Sequence, residues 1–362
     1  AVNKAAEQAA AEKAAAEKAL VGAAADGNVA MVMALVTGGA KRSETLVSVL
    51  VCAASNGHLE IVRFLLHEHL VLICAAVNEK NNEGHTALVE AAFNGHLEVV
   101  RFLLQSGAAV NEKDNEGDTA LVCAASDGHL EVVRFLLQSG AAVNEKDIEG
   151  NTALFCAASE GHLEVVRFLL QSGAAVNEKD NDGDTALVCA ASNGHLELVR
   201  LLIEHDANVD AKDACVIWAF VSAAGGGRLD IVRCLIDKGL DVNGKGSNGD
   251  TALIISARKG HSEITDLLLS NGANINDKNA ILDTALICAA RKGHVEVAVI
   301  LLRGGADASI VNRNDDTALS LAKRENHSEL VKLLGGQGKG AGEMRGRKGT
   351  NKKGSGKGTG RR

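Results

Sequence analysis

Residues 117–143 read Gly-Asp-Thr-Ala-Leu-Val-Cys-Ala-Ala-Ser-Asp-Gly-His-Leu-Glu-Val-Val-Arg-Phe-Leu-Leu-Gln-Ser-Gly-Ala-Ala-Val, and this pattern recurs along the chain with a period of 33 residues. Its most constant part is Thr-Ala-Leu, which begins at Thr86, Thr119, Thr152, Thr185, Thr251, Thr284 and Thr317. The slot at 218 holds Trp218-Ala219-Phe220 instead, and the period continues beyond it. A fixed period of this length indicates one supersecondary unit that was copied and stacked, so the repeat decides the fold.

A second marker extends the repeat toward the start of the chain. Nine residues after each threonine except Thr317 comes a glycine, followed by histidine, as in Gly128-His129. The same marker occurs at Gly27 and Gly57, which gives about ten units, starting near 18, 48, 86, 119, 152, 185, 218, 251, 284 and 317. The first two steps are irregular, and the second predicts an inserted loop around residues 67–74.

The residues of one unit predict two helices, a turn between them and a finger. Thr119 is suited to cap a short helix through its hydroxyl, and Gly128 allows that helix to stop and reverse. Residues 130–137 place apolar side chains at helical spacing, which predicts a second, amphipathic helix. Gly140 ends it, and polar residues 143–147 lead into a hairpin-like finger. Neither helix can bury its apolar face alone, so neighbouring units must stack.

The pattern G-x-T-A-L-x-x-A-A-x-x-G-H-L-E-V-V-x-x-L-L-x-x-G-A-x-V-N closely resembles the ankyrin repeat over residues 18–334. The resemblance implies an all-α solenoid of stacked helix-turn-helix units with hairpin-like fingers, which binds protein partners on a concave face and has no catalytic activity. It also implies that Asn111, Asn144 and Asn177 could be hydroxylated. The family's T-P-L-H appears here as Thr-Ala-Leu followed by Val, Ile, Phe or Ser. Loss of that histidine predicts a stack that depends more on packing.

Composition and cysteine placement indicate a reducing compartment. The chain has 362 residues, no Pro and no Tyr, and is 46% hydrophobic. Five of its eight cysteines follow the threonine slot by four residues, at Cys52, Cys123, Cys156, Cys189 and Cys288. Stacked helices lie about 8–10 Å apart, beyond the reach of a disulfide, which predicts buried free thiols in the first-helix core.

The expected location is therefore the cytoplasm. No signal peptide is recognisable, and the apolar run 70–77 is too short to span a membrane. The first residue is not Met, which indicates a fragment or a processed start.

The two ends differ from the repeats. Residues 1–17 are Ala-rich and predict a helical lead-in or cap. Residues 335–362 hold eleven Gly, nine Lys or Arg and one acid, which predicts a disordered tail of net charge +8. The whole chain carries −8, so −16 remains for residues 1–334. The alternative function is therefore association with nucleic acid or ribonucleoprotein, or a nuclear address, through Arg345, Arg347, Lys348, Lys352, Lys353, Arg361 and Arg362.

Motifs of catalytic or metal chemistry are weak. Residues 354–359 resemble the end of a phosphate-binding loop, but Asn351 stands where its first glycine belongs and no strand precedes it, which favours coincidence. Six of the twelve histidines recur with the repeat and are interpreted as bridges between adjacent turns. His67-Glu68-His69 lacks further metal ligands at useful spacing. The sequence thus predicts no enzyme, metal or cofactor; a catalytic domain beyond residue 362 stays open.

The resemblance implies that partners bind to a concave face formed by the finger tips and the ends of the first helices. Its first part is mainly acidic and comprises Asn115, Glu116, Asp118, Asp127, Glu149, Glu160, Asp182 and Asp184. Its later part is basic and comprises Arg258, Lys259, Arg291 and Lys292. The simpler interpretation is a solvated charged surface. The ordered change of sign favours a surface that orients its partners.

The unit at 218 lacks the usual finger sequence. Residues 213–220 read Asp-Ala-Cys-Val-Ile-Trp-Ala-Phe, which puts Trp218 and Phe220 at a finger tip, where they could anchor a partner. The alternative is that they fill a seam left by a degenerate repeat. Gly225-Gly226-Gly227 would loosen the turn that follows. This unit is thus the candidate for a hinge or a binding hot spot.

Overall fold

In each regular repeat a threonine hydroxyl caps the first helix. Thr119 is extended, and its Oγ1 accepts a hydrogen bond from the Val122 amide at 3.3 Å. The short helix that follows buries nearly all of its alanines and branched side chains. All seven Thr-Ala-Leu repeats have this cap, which confirms the prediction made for threonine.

Glycine then reverses the chain, and the amphipathic second helix follows. Gly128 has φ +76°, a left-handed conformation that favours glycine. The next helix, Leu130–Gln138, buries Val132, Val133 and Leu136, and its other side carries Arg134 and Glu131. The two helices of each repeat form a helical hairpin with two layers. The first helix is small and apolar, and the second has one apolar stripe.

The computed structural model describes residues 2–37, 43–68, 77–210 and 212–340, and within them it contains twenty helices and no strand. In chain order they are α1 Val2–Ala25, α2 Val29–Thr37, α3 Ser43–Ser55, α4 Leu59–Glu68, α5 Ala87–Phe93, α6 Leu97–Gln105, α7 Ala120–Ser126, α8 Leu130–Gln138, α9 Ala153–Glu160, α10 Leu163–Gln171, α11 Ala186–Asn193, α12 Leu196–Glu204, α13 Ala214–Gly225, α14 Leu229–Asp237, α15 Ala252–Lys259, α16 Ser262–Ser270, α17 Ala285–Lys292, α18 Val295–Arg303, α19 Ala318–Arg324 and α20 Ser328–Gly340.

The chain groups into two compact units, residues 1–219 and 220–362, which we call unit 1 and unit 2. In both, consecutive helical hairpins stack through their first helices, as α7 does on α5 and α17 on α15. The chain is thus an all-α repeat solenoid, as the sequence predicts.

Helices at three irregular places differ from the sequence-based boundaries. α1 runs without a break from Val2 to Ala25, so the Ala-rich lead-in and the first helix of the first repeat are one helix. α4 continues to Glu68, and the rest of the expected insertion lies outside the described residues. α20 extends to Gly340, so residues 335–340 of the predicted tail have helical backbone.

The fingers predicted from the sequence are short hairpin-like turns, which we call hairpins. They lie between the repeats and hydrogen-bond to one another. Isolated antiparallel bridges join Lys113 to Thr119 and Lys146 to Thr152 within single hairpins. The Ile148 amide donates to the Glu116 carbonyl of the preceding hairpin at 3.1 Å. In unit 2, Leu282 occupies the left-handed position that glycine fills in most hairpins, with φ +61°.

Histidine side chains tie most repeats to the one before; the repeat at 218 is an exception, because Arg228 stands in that place. His162 Nε2 donates to the Ser126 carbonyl at 2.8 Å, and His129 Nε2 to the Phe93 carbonyl at 2.8 Å. Equivalent bonds are made by His58, His96, His195, His261, His294 and His327. The structural role predicted for these histidines is confirmed. The histidine missing from the family's T-P-L-H is therefore no sign that hydrogen bonds between repeats are lost.

Asparagine and lysine add a second set of ties within unit 1. Asn111 Oδ1 accepts from the Ala142 amide at 2.9 Å, and Asn144 does the same for Ala175 at 2.8 Å. Lys113 Nζ donates to the Lys146 carbonyl at 2.8 Å and lies 2.9 Å from Glu145 Oε2. Each junction is thus held by polar groups as well as by packing.

The prediction of a finger at residues 213–220 is wrong. Asp213 is followed directly by α13, because the Asp213 side chain accepts from the Cys215 amide at 3.0 Å and its carbonyl accepts from Ile217. Phe220 is completely buried and cannot contact a partner, whereas Trp218 is 46% exposed. The glycine turn that follows is regular, since Gly227 has φ +74° and the Gly225 carbonyl accepts from His261.

Candidate protein-interaction surface

A cleft of about 420 Å³ lies in unit 1 between the hairpins and the first helices. The repeats that begin at Thr86 and Thr119 form it, together with the hairpin before Thr152 and the start of α9. It is lined by His85, Val89, Glu90, Phe93, Asp114, Glu116, Asp118, Val122, Cys123, Ser126, Asp147 and Cys156. The first helices supply its apolar side, and the hairpins supply most of its carboxylates.

Two large apolar side chains near the cleft are open to solvent. Phe93, the last residue of α5, is 48% exposed. Ile148, at the tip of the hairpin that carries Asp147, is 67% exposed. Exposed apolar groups beside a concave polar site are what a binding surface offers to a partner.

The carboxylate of Asp118 has no cationic partner among the described residues. Burial, and after it the nearby carboxylates of Asp114, Asp147, Glu116 and Glu149, together raise its pKa to about 6. Asp114 and Asp147 are held in place, since each accepts backbone amide bonds from its own hairpin. The hairpins thus bring several negative charges together at a partly buried position.

We expect Asp118→Asn to stabilise the protein at about pH 7.5 by about 1 kcal/mol, a value discounted for the exposure of the group. The folded state holds a proton on Asp118 up to about pH 6, whereas the unfolded chain releases it near its ordinary pKa of 3.8. Stability therefore falls as pH rises through this window, and the variant removes that loss. Urea unfolding at about pH 4 and 7.5 measures it, with the exposed Asp182→Asn as control. Equal effects at both pH values would contradict this cause.

In three repeats of unit 2, an arginine neutralises the aspartate at the position of Asp118. Arg258 Nη2 lies 2.6 Å from Asp250 Oδ1, and Arg324 Nη1 lies 2.9 Å from Asp316 Oδ2. Arg291 binds Asp283 with both terminal nitrogens, at 2.6 and 2.8 Å. In each case the arginine follows the aspartate by eight residues and extends from the end of the first helix back to the hairpin.

Unit 1 has no arginine at this position. The residues that stand there in its four Thr-Ala-Leu repeats are Phe93, Ser126, Ser159 and Ser192. The residues at the aspartate position are His85, Asp118, Asn151 and Asp184. His85 Nδ1 lies 2.6 Å from Glu90 Oε1, and Asn151 Nδ2 donates to Asp147 Oδ2 at 2.9 Å. Asp118 is left with neither kind of partner among the described residues.

Apart from the buried Phe220, the predicted partner-binding residues divide into three groups. Glu116 and Asp118 line the cleft, and Glu149 lies close enough to influence Asp118. Side chains that are exposed without lining it are those of Asn115, Asp127, Glu160, Asp182, Trp218, Lys259 and Lys292, while Asp184 is half-buried. Arg258 and Arg291 form ion pairs inside their own repeats, so their charges are already partnered within the protein.

Several residues that line the cleft are missing from the partner-binding set predicted from the sequence, among them Phe93, Asp114, Asp147 and Cys123. Phe93 could have been found because, among the seven Thr-Ala-Leu repeats, it is the one residue at its position that is neither serine nor arginine. The arginine pairs could have been found because Arg occurs eight residues after Asp only in the later repeats. Asp114 and Asp147 resemble many other hairpin acids, and only the stacking of repeats brings Asp147 close to Asp118.

The recurrent cysteines line the first helices without forming a metal site. Cys123 and Cys288 are buried, but Cys52, Cys156 and Cys189 are half-buried, so the prediction of uniform core thiols is corrected. Burial raises the pKa of both Cys156 and Cys189 to about 12, which keeps these thiols protonated. The described residues include no group of three or more side chains suited to hold a metal ion.

Several predicted features lie outside the described residues. They are the nucleic-acid set from Arg345 to Arg362, the glycine-rich motif at 354–359, and His69. In the described part of the chain, no helix combines the length and the apolar character needed to cross a membrane.

Comparison with known proteins agrees with this architecture. A family model for ankyrin repeats (3 copies) matches residues 67–147, 139–213, 218–279 and 277–341, and a single ankyrin-repeat model matches residues 47–82. No curated protein matches the chain. Ankyrin repeats are generally protein–protein interaction modules and are typically non-catalytic. The Thr-capped helical hairpins, their Gly-His turns and these matches together mean that the chain belongs to the ankyrin-repeat family.

Proposed function

We propose that this protein is a non-catalytic scaffold or adaptor that binds a protein partner on the hairpin side of unit 1. The observation that carries the proposal is the cleft of about 420 Å³, where exposed Phe93 adjoins unneutralised carboxylates. A surface that combines an apolar anchor with charged groups provides both affinity and orientation. The partner would meet a preformed site, so little ordering of the repeats opposes binding.

The surface formed by the second helices of unit 1 differs from the cleft in how its charges are paired. On the second helices, Arg101 and Arg134 stack on Phe135 and Phe168 of the following repeat, at 4.3 and 4.4 Å from the ring centroids. Glu131 lies 3.6 Å from Arg134. These charges are paired with groups of the protein itself, which makes this side a suitable control surface.

The test compares the captured partners of the full chain with those of two charge-reversal variants. Glu116→Lys alters the cleft, and Glu131→Lys makes the same change on a second helix. We expect Glu116→Lys to weaken capture by about tenfold, because it reverses a charge that would face the partner. Glu131→Lys should have little effect, because exposed charge pairs contribute little. Quantitative mass spectrometry of proteins retained from lysate, after nuclease treatment, measures both. Equal capture by all three proteins would contradict the proposal.

The basic tail supports a second candidate, association with nucleic acid. Residues 335–362 carry a net charge of +8, whereas the rest of the chain is acidic. Binding through such a segment weakens steeply with salt, because lysine and arginine displace counterions from phosphates. A set of captured proteins that disappears after nuclease treatment would favour this candidate over the scaffold.

A further inference from the structure

The aspartate that precedes the capping threonine binds a guanidinium wherever the repeat supplies one. Asp250, Asp283 and Asp316 each receive an arginine from their own first helix. Asp118 occupies the same place in its repeat but has Ser126 where the arginine would stand. The comparison within the chain shows which ligand this carboxylate position accepts.

Space for such a ligand exists beside Asp118. The short side chain of Ser126 leaves the cleft open at the end of α7, where the arginine of a unit 2 repeat would begin. The lining includes Asp114 and Glu116 on the hairpin side and Phe93 on the helix side. A flat cation can pair with carboxylates and also lie against an aromatic ring.

We propose that the cleft beside Asp118 binds an arginine side chain of a protein partner, whose guanidinium takes the place that Arg258 and Arg291 occupy in their own repeats. The inference rests on the proposed scaffold function and adds the chemistry of the partner. Arginine fits better than lysine because its planar fork binds a carboxylate with two parallel hydrogen bonds, as Arg291 binds Asp283.

Negatively charged side chains from the hairpins and from α5 surround the site, and they favour a bound cation. The hairpins contribute Asp114, Glu116, Asp147 and Glu149 around Asp118. From α5, Glu90 adds a carboxylate, which is already paired with His85 and with the Ser55 hydroxyl at 2.8 Å. Burial and these neighbours raise the pKa of Asp118 to about 6. A bound guanidinium would lower it again, so binding should strengthen as pH rises through about 6.

The experiment measures binding of two acetylated and amidated pentapeptides, Gly-Gly-Arg-Gly-Gly and its citrulline analogue, to the full chain. Citrulline has nearly the shape of arginine but no charge. Carboxylate NMR of protein labelled at aspartate follows Asp118, whose signal is identified by its loss in Asp118→Asn. We expect the arginine peptide to lower the pKa of Asp118 and to bind about tenfold more tightly than the citrulline peptide.

Two variants test whether the site is the one inferred. Ser126→Arg supplies the guanidinium from within, so we expect it to weaken binding of the arginine peptide by about tenfold. Ser159→Arg makes the same change where Asn151 stands at the aspartate position, and it should leave binding unaltered. Asp118→Asn, which removes the acceptor, should also weaken binding, and it remains informative if Ser126→Arg fails to fold.

Equal binding of the arginine and citrulline peptides would overturn the inference, as would full binding of the arginine peptide to both Ser126→Arg and Asp118→Asn. Failure of the arginine site and failure of the scaffold are distinguishable. If Glu116→Lys still weakens capture of partners while the two peptides bind alike, the scaffold stands and the arginine site falls. If the peptides differ but no partner depends on Glu116, the scaffold proposal falls.

Discussion

Replacing Asp283 by alanine is expected to lower the free energy of unfolding by about 3–5 kcal/mol, because it leaves a partly buried arginine without its counter-ion. The Asp283 side chain is completely buried and receives two hydrogen bonds from Arg291. It also accepts from Asn312 Nδ2 of the next hairpin at 3.0 Å. One substitution therefore removes an ion pair inside a repeat and a bond between repeats.

Urea unfolding followed by circular dichroism measures this loss, and Asp316→Ala is the matched control. Asp316 makes the same pair with Arg324, but the Arg324 side chain is 56% exposed. We expect the control to cost less than about 1 kcal/mol, since water screens an exposed pair. Losses of similar size in the two variants would mean that burial of Asp283 does not set the strength of its pair.

Replacing Gly128 by alanine is expected to cost about 3 kcal/mol. Gly128 has φ +76°, which costs an L-residue about 1–2 kcal/mol. A Cβ atom there would also lie 2.5 Å from His162 Nδ1, so the imidazole ring would have to move. Displacing the ring breaks its hydrogen bond to the Ser126 carbonyl, which contributes about 1 kcal/mol.

The chain contains a control that separates these two causes. Gly140 has φ +92°, but a Cβ atom there would meet nothing within 4 Å. Gly140→Ala should therefore cost only the backbone term, about 1–2 kcal/mol. Thermal or urea unfolding of both variants, and of Gly128→Ala combined with His162→Ala, measures the coupling. If Gly128→Ala costs no more than Gly140→Ala, the contact with the histidine ring is not limiting.

The periodic features of the fold could be predicted because each follows from a local rule that acts in every repeat. Thr119 caps its helix and Gly128 turns the chain by side-chain and backbone chemistry that needs no distant partner. The bridging role of histidine could be inferred because a polar residue that recurs at a fixed place in most units must meet the same neighbour. The hydrogen-bond acceptor of that histidine is a backbone carbonyl of the preceding repeat, and it could be identified only from the structure.

The irregular features could not be predicted because they depend on contacts that a single repeat makes where its sequence departs from the common pattern. The slot at 218 has no capping threonine, and Asp213 begins the helix earlier, which buries Phe220. Arg258 was assigned to the binding surface by its position alone, since sequence spacing does not tell whether a charge is already paired. The importance of Asp118 depends on the absence of such a partner.

The identity of successive junctions has a consequence for the length of the protein. Residues 95–114, 128–147 and 161–180 are identical in sequence, and the ties made by Asn111 and Asn144 are equivalent. Removal of residues 128–160 would bring Asn111 opposite Ala175 and restore the bond that Asn144 now makes. Loss or duplication of one whole repeat in this region of the gene therefore needs no compensating substitution, and the number of repeats can change in a single step.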